Sequence, residues 1–127
     1  MTSIQFCNLI KRYGTGEKAN QVLHGVNAEI RDGEFVVIVG PSGCGKSTLL
    51  RAIADLVPTS GGEISVLGRS PRQAREGRDF AFVFQDATLL PWRSVLDNVA
   101  FGLKMQGIGK AERRYQASEF LRLVGLQ

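Results

Sequence analysis

The sequence predicts an α/β domain on three observations. Residues 3–14 and 21–30 alternate loosely between apolar and polar and flank a Gly-rich turn, the pattern of paired strands. Residues 35–40, Phe-Val-Val-Ile-Val-Gly, and 80–84, Phe-Ala-Phe-Val-Phe, are continuously apolar, as strands covered on both faces are. Stretches with helical spacing lie between and after these runs, and such interleaving marks an α/β architecture.

In chain order, the first strand ends at Gly14 and the second follows the turn at 14–20. Arg31-Asp32-Gly33-Glu34 turns the chain into the apolar run at 35–40. A helix starts near Gly45 or Lys46, with Leu49, Leu50, Ile53 and Leu56 on one face, and Pro58 with the Ser60-Gly61-Gly62 turn stops it. Residues 63–68 read as a short strand. Residues 69–78 read as a polar connection, because Pro71 and Gly77 interrupt any regular helix. The run at 80–84 is a strand ending at Gln85. Residues 94–107 form a helix with Ser94 as N-cap and Asp97 in its first turn. A last helix covers 109–127 with a stripe of Ala117, Phe120, Leu121 and Val124.

With 127 residues the chain fits one domain or a piece of a larger one. Its 43% hydrophobic and 22% charged content is that of a globular protein and argues against disorder. A net charge of +4 suits nucleic acid, an anionic membrane or a nucleotide and decides among none of them. Cys7 and Cys44 match no metal-ligand spacing; a reduced, cytosolic chain is expected. The N-terminus lacks the apolar core of a signal peptide, and no apolar run approaches the ~18 residues that a spanning helix needs.

The chemistry concentrates at Gly40-Pro41-Ser42-Gly43-Cys44-Gly45-Lys46-Ser47-Thr48, which fits G-x-x-x-x-G-K-[ST] without a gap. The glycines let several backbone N–H groups converge on one anion, and the helix that follows adds its positive end. Lys46 supplies a point charge for terminal phosphates, Ser47 a hydroxyl for Mg²⁺, and Thr48 a further donor. A run of β-branched residues before and an amphipathic helix after are the context that a phosphate loop requires.

Four stretches then bring the chain close to a known family. Lys11-Arg12-Tyr13-Gly14, the stretch from Gly40 to Ile64, the stretch from Val83 to Val99 and the final helix together resemble the ATP-binding subunit of ABC transporters over essentially the whole chain. The resemblance implies a P-loop NTPase core with an N-terminal antiparallel β part and the start of a helical subdomain, incomplete, divided at 1–85 and 86–127. It implies ATP and Mg²⁺ as cofactors, with Tyr13 stacking on adenine, residues 40–48 holding the phosphates, and Lys46 and Gln85 as the catalytic groups. Ser47 and Gln85 are the implied Mg²⁺ ligands, with Gln85 also reaching the attacking water. Without the resemblance, Tyr13 reads equally well as a core aromatic and Gln85 as a capping amide.

Leu89-Leu90-Pro91-Trp92-Arg93-Ser94 is similar to importers for nitrate, alkanesulfonates and taurine. The resemblance implies a transmembrane permease subunit contacting the region from Gln85 to Trp92, a second copy of the ATPase subunit, and a cytoplasmic location peripheral to the membrane. From its residues alone, Trp92 is either such an exposed contact or an aromatic tucked against Leu89 and Leu90.

Other features are set aside. Thr59-Ser60-Gly61-Gly62-Glu63-Ile64 imitates the family's signature motif but precedes a strand and reads as a turn. Asp86 imitates a carboxylate at a strand end, with Gln85 intervening. Arg69, Arg72, Arg75 and Arg78 read as a solvated charged connection rather than a nucleic-acid stripe, and no nucleic acid is expected as a partner. His24, the single histidine, has no catalytic company. No signature motif, Asp-Glu strand end or switch histidine occurs in residues 1–127, so the sequence reads as an N-terminal part that binds ATP and hydrolyses it negligibly. The resemblance places the acidic strand beside the 35–40 run, which is thus expected to present an apolar, unpaired edge. A regulatory nucleotide-binding fragment, and behind it a nucleic-acid-handling ATPase, are the alternatives that the residues leave open.

Overall fold

A computed structural model describes residues 1–126. Strand β1 (Thr2–Tyr13) lies at the centre of an antiparallel sheet of order β2-β1-β3, with β2 spanning Asn20–Arg31 and β3 spanning Gly61–Val66. A single 3-10 turn at Gly16–Lys18 joins β1 to β2. The alternating pattern explains why β1 and β2 pair: Phe6 and Leu9 of β1 and Leu23 of β2 are buried, while Gln5, Cys7 and His24 are exposed. Phe6 and Leu9 are three residues apart, an odd spacing that a plain strand would place on opposite faces. A bulge around Asn8, which sits at φ 49°, brings both to the same core.

Helix α1 (Lys46–Ile53) covers that core, with Leu49 and Ile53 packed against Phe6, Leu9 and Leu23. Its packed face carries Thr48, Leu49, Ala52 and Ile53. Leu50 and Leu56 are exposed, so the predicted stripe is rotated, and the helix ends three residues before Leu56 because Asp55 adopts φ 56°. The Ser60-Gly61-Gly62 stretch is a strand entry: the Ser60 N–H donates to the Ile10 carbonyl at 2.8 Å and Ser60 Oγ accepts from the Arg12 N–H at 2.9 Å.

Three expectations are corrected. Residues 35–39 form no strand among the described residues, and Phe35 and Val39 are 93% and 87% exposed. A continuous apolar run needs neighbours on both edges and cover on both faces, and the described residues provide neither. The run at 80–84 likewise belongs to no strand of the sheet, and Val83 is exposed. Residues 69–78, read as a connection, contain helix α2 (Pro71–Glu76). Ser70 and Gln73 form a reciprocal capping box, and Pro71 at the first helical position starts the helix instead of breaking it. Its arginines are tied locally, Arg69 to Asp79, Arg72 to Glu76 and Arg75 to Asp55.

The chain divides into two compact units, Met1–Phe82 and Val83–Gln127. In the second, the predicted helix over 94–107 is two short ones, α3 (Val95–Val99) and α4 (Phe101–Met105), because Ala100 flattens to ψ −8°. Helix α5 (Lys110–Leu123) packs on both and buries Ala117, whereas Phe120 and Val124 of the expected stripe are exposed. Residue 127, at the end of that predicted helix, lies outside the described residues.

Two outcomes test this description. Gly62 and Gly68 both have positive φ, but only at Gly62 would a Cβ run into the Asn8 backbone, whereas Gly68 faces open space. Gly68→Ala should cost about 1–2 kcal/mol, the left-handed penalty alone, and Gly62→Ala clearly more, read from urea midpoints. The exposed 35–39 run should make the chain marginally stable and prone to association. Thermal melts should fall below about 50 °C, in the lower part of the ~45–65 °C range of ordinary domains, and Val39→Lys should reduce light scattering.

Candidate functional site

A turn followed directly by helix α1 brings the loop residues together. Residues 34–41 run without helix or strand into a turn at Ser42-Gly43, closed by a hydrogen bond from the Cys44 N–H to the Pro41 carbonyl at 3.3 Å. Gly45 then caps α1 at φ 98°, a conformation that L side chains rarely adopt. A Cβ on Gly45 would stand 2.7 Å from the Val22 carbonyl oxygen and 3.1 Å from the Leu23 side chain. This glycine therefore serves the core as well as the loop: without a side chain it lets the start of α1 sit directly on β2. The motif alone gave no sign of that contact.

Lys46, the first residue of α1, folds back across the loop. Its Nζ donates to the carbonyls of Gly40 and Pro41, the latter at 2.9 Å. The ammonium is held where a Gly-rich loop curls around it, beside the first-turn N–H groups of α1, which have no acceptor within the helix. Gly45 offers no side chain to cap them. Cation, orphan N–H groups and helix dipole share one sign, so the arrangement fits an anion with several oxygens. A Cβ at Gly40 would meet Cys44 Sγ at 2.7 Å, a contact that rotation of the Cys44 side chain can relieve. Gly43, at φ 80°, faces open space.

The remaining candidates are distributed unevenly. Ser47 is exposed in the first turn of α1, whereas Thr48 is buried on the face that packs on the sheet. Tyr13 ends β1 opposite Asn20, is 41% exposed, and has the Lys11 ammonium 4.7 Å from its ring centroid. An exposed strand-end aromatic is not a core residue, and one of its faces already carries a cation. Beside it, Arg12, Gly14, Gly16, Ala19, Gln21 and Ser60 line an open cleft of about 570 Å³. Sequence reading missed this cleft; the Gly14-Thr15-Gly16 turn was its one signal. Gln85 belongs to the second unit, exposed in a bend that also contains Asp86. Among the described residues no group of three or more His, Cys, Asp or Glu side chains gathers to hold a metal ion. The described residues thus form no carboxylate cage for Mg²⁺; Ser47 and Gln85 each offer an exposed oxygen, which suits an ion whose other ligands are phosphate oxygens and water.

Cys44 and Cys7 are both free thiols and exposed. Trp92 is 76% exposed at the tip of the 90–94 loop, which excludes the tucked alternative. Among the described residues no helix is long and apolar enough to cross a membrane.

A family model described as ABC transporter matches residues 23–127. The chain is 50% identical over 115 residues to the taurine import ATP-binding protein TauB of Rhizobium johnstonii, covering 91% of this chain and 42% of that protein. It is 46% identical over 130 residues to the sn-glycerol-3-phosphate import ATP-binding protein UgpC of Cupriavidus metallidurans, covering 99% of this chain and 35% of that protein. The dimeric post-hydrolysis structure of an ATP-binding cassette bound to ADP and Pi matches with a TM-score of 0.84 at 34% identity, over 98% of this chain and 58% of that one. The chain thus spans well under half the length of these two curated relatives.

Gly45→Ala tests the double role of the cap. It should lower stability by about 2 kcal/mol or more, through the left-handed penalty and the clash with Val22, and weaken nucleotide binding together with it. Gly43→Ala should cost only the backbone penalty of about 1–2 kcal/mol, with paired chemical denaturation and nucleotide titration as the readout.

Proposed function

The chain belongs to the ABC transporter family, and from that premise we propose that it is the nucleotide-gripping part of an import ATP-binding subunit. The observation that carries this reading is Lys46 held over the carbonyls of Gly40 and Pro41 at the start of α1. In this reading Lys46 exchanges those carbonyls for phosphate oxygens, and the N–H groups of Gly43 and residues 45–48 receive the rest of the charge, while the Cys44 N–H holds the turn. Ser47 offers its hydroxyl to Mg²⁺, and Tyr13 presents its free face to adenine. Gln85 keeps the Mg²⁺ and water role that the resemblance gives it, within the division of the chain at 1–85 and 86–127. MgATP, when bound, supplies the phosphoryl group whose hydrolysis powers transport by the whole assembly.

The solute we propose is a small oxyanion. A relative named for taurine import, a sulfonate, and others named for sn-glycerol-3-phosphate import support that class and leave nitrate as one member of it. The partners are a membrane permease subunit at the 85–92 segment and a second copy of the ATPase subunit, in keeping with the dimeric cassettes that the fold matches. The location is the cytoplasmic face of the membrane.

Titration of a fluorescent ATP analogue tests the grip. Lys46→Ala should weaken binding about 10- to 100-fold, the loss of a charge-assisted contact worth roughly 1.5–3 kcal/mol. Unchanged affinity in Lys46→Ala with intact circular dichroism would remove the reading.

A further inference from the structure

Asn98 is the fourth residue of the five-residue helix α3, a position where Asn is a mediocre helix former. Its side chain explains its presence. Asn98 Oδ1 accepts from the Leu90 N–H at 2.8 Å. Nδ2 donates towards three carbonyls, Leu90 at 3.2 Å, Arg93 at 3.2 Å and Ser94 at 2.9 Å. The amide stands this way round because the Leu90 N–H requires an acceptor, and the reverse orientation would set an amide oxygen against three carbonyl oxygens. One side chain therefore closes both ends of the 90–94 loop, whose own backbone contributes a single turn bond, Arg93 N–H to Leu90 carbonyl at 3.1 Å.

The clamp is itself anchored. Ser94 Oγ accepts from the Asp97 N–H at 3.1 Å, Asp97 pairs with Arg114 of α5 at 3.1 Å, and the Arg93 guanidinium lies 5.3 Å from the Phe101 ring centroid. At the tip of this tied loop stands Trp92, flanked by exposed Leu89 and Val95. A large aromatic on a mobile loop loses binding free energy to ordering; on a fixed loop that cost is already met.

We infer that Asn98 is a positioning residue: it fixes the 90–94 loop so that Trp92 is presented in one orientation to the membrane subunit. The inference rests on the docking role proposed for the 85–92 segment, and its test is independent of that role. Trp92 is the single tryptophan of the chain, so its fluorescence anisotropy decay reports this loop alone. In Asn98→Ala the amplitude of the fast, nanosecond component should roughly double, as for a released loop. Asn98→Asp should loosen the loop at neutral pH, where a carboxylate faces three carbonyls, and tighten it on acidification, when the carboxyl regains one donor. Gln116→Ala, which removes a hydrogen bond to Glu112 on α5, should leave the decay unchanged. If Asn98→Ala loses its helical circular dichroism, Asn98→Ser serves in its place. Unchanged anisotropy in the Asn98 variants with helices intact overturns the clamp, as does an equal effect of Gln116→Ala. If the clamp holds while Trp92→Ala leaves recruitment to membranes carrying the permease unaltered, the docking reading fails instead.

Discussion

The packing of α1 on the antiparallel sheet is the constraint from which the phosphate loop follows. Leu49 and Ile53 seat the helix over Phe6, Leu9 and Leu23, and this fixes its first turn against the Val22 carbonyl. Only a glycine fits between the two, so the invitation to an anion at the helix start is set by the hydrophobic core. The loop is thereby held firmly on its C-terminal side. On its N-terminal side residues 34–40 join no sheet among the described residues, and the tie is made by Lys46 reaching back to Gly40 and Pro41. The cation that suits a phosphate is also the clasp of the loop.

That asymmetry extends to the energetics. The buried set of the first unit is small, with Phe6, Leu9 and Leu23 as its centre and alanines making up much of the remainder. Meanwhile Phe35, Val37 and Val39 leave their apolar area in water, forgoing about 25 cal/mol for each Å² that burial would stabilise. A polar cap such as the Ser70-Gln73 box adds locally to α2, on the order of 1 kcal/mol, and does not replace missing burial.

The second unit works by a different device. Helices α3 and α4 have five residues each and the core is small, with Ala100 and Ala117 as the buried residues among those described, so hydrophobic burial alone does little to fix the 90–94 loop. Hydrogen bonding does the fixing, through one amide that satisfies backbone groups at both ends of the loop. An exposed Trp92 on an ordered loop is the outcome, and it is the feature that suits a contact with another subunit.

The sequence by itself determined the phosphate loop, the pairing strands β1 and β2 and the family, because each is written in local signals: glycine spacing, alternation, and a Gly-Lys-Ser step opening a helix; the Ser60-Gly61-Gly62 stretch, read as a turn, is the entry of β3. It also held the α2 cap in Ser70-Pro71-Arg72-Gln73, a local signal outweighed by the breaker reading of Pro71. Tertiary structure alone decided which side of α1 is buried, since rotation about the helix axis is settled by what it packs on and not by its own periodicity. Only the fold could bring Gly45 to Val22 and Asn98 to Leu90, contacts between residues whose spacing carries no pattern. The fate of residues 35–39 was likewise beyond local reading. A run of Val and Ile states a preference for burial, and whether it becomes a strand depends on neighbours supplied from elsewhere in the fold.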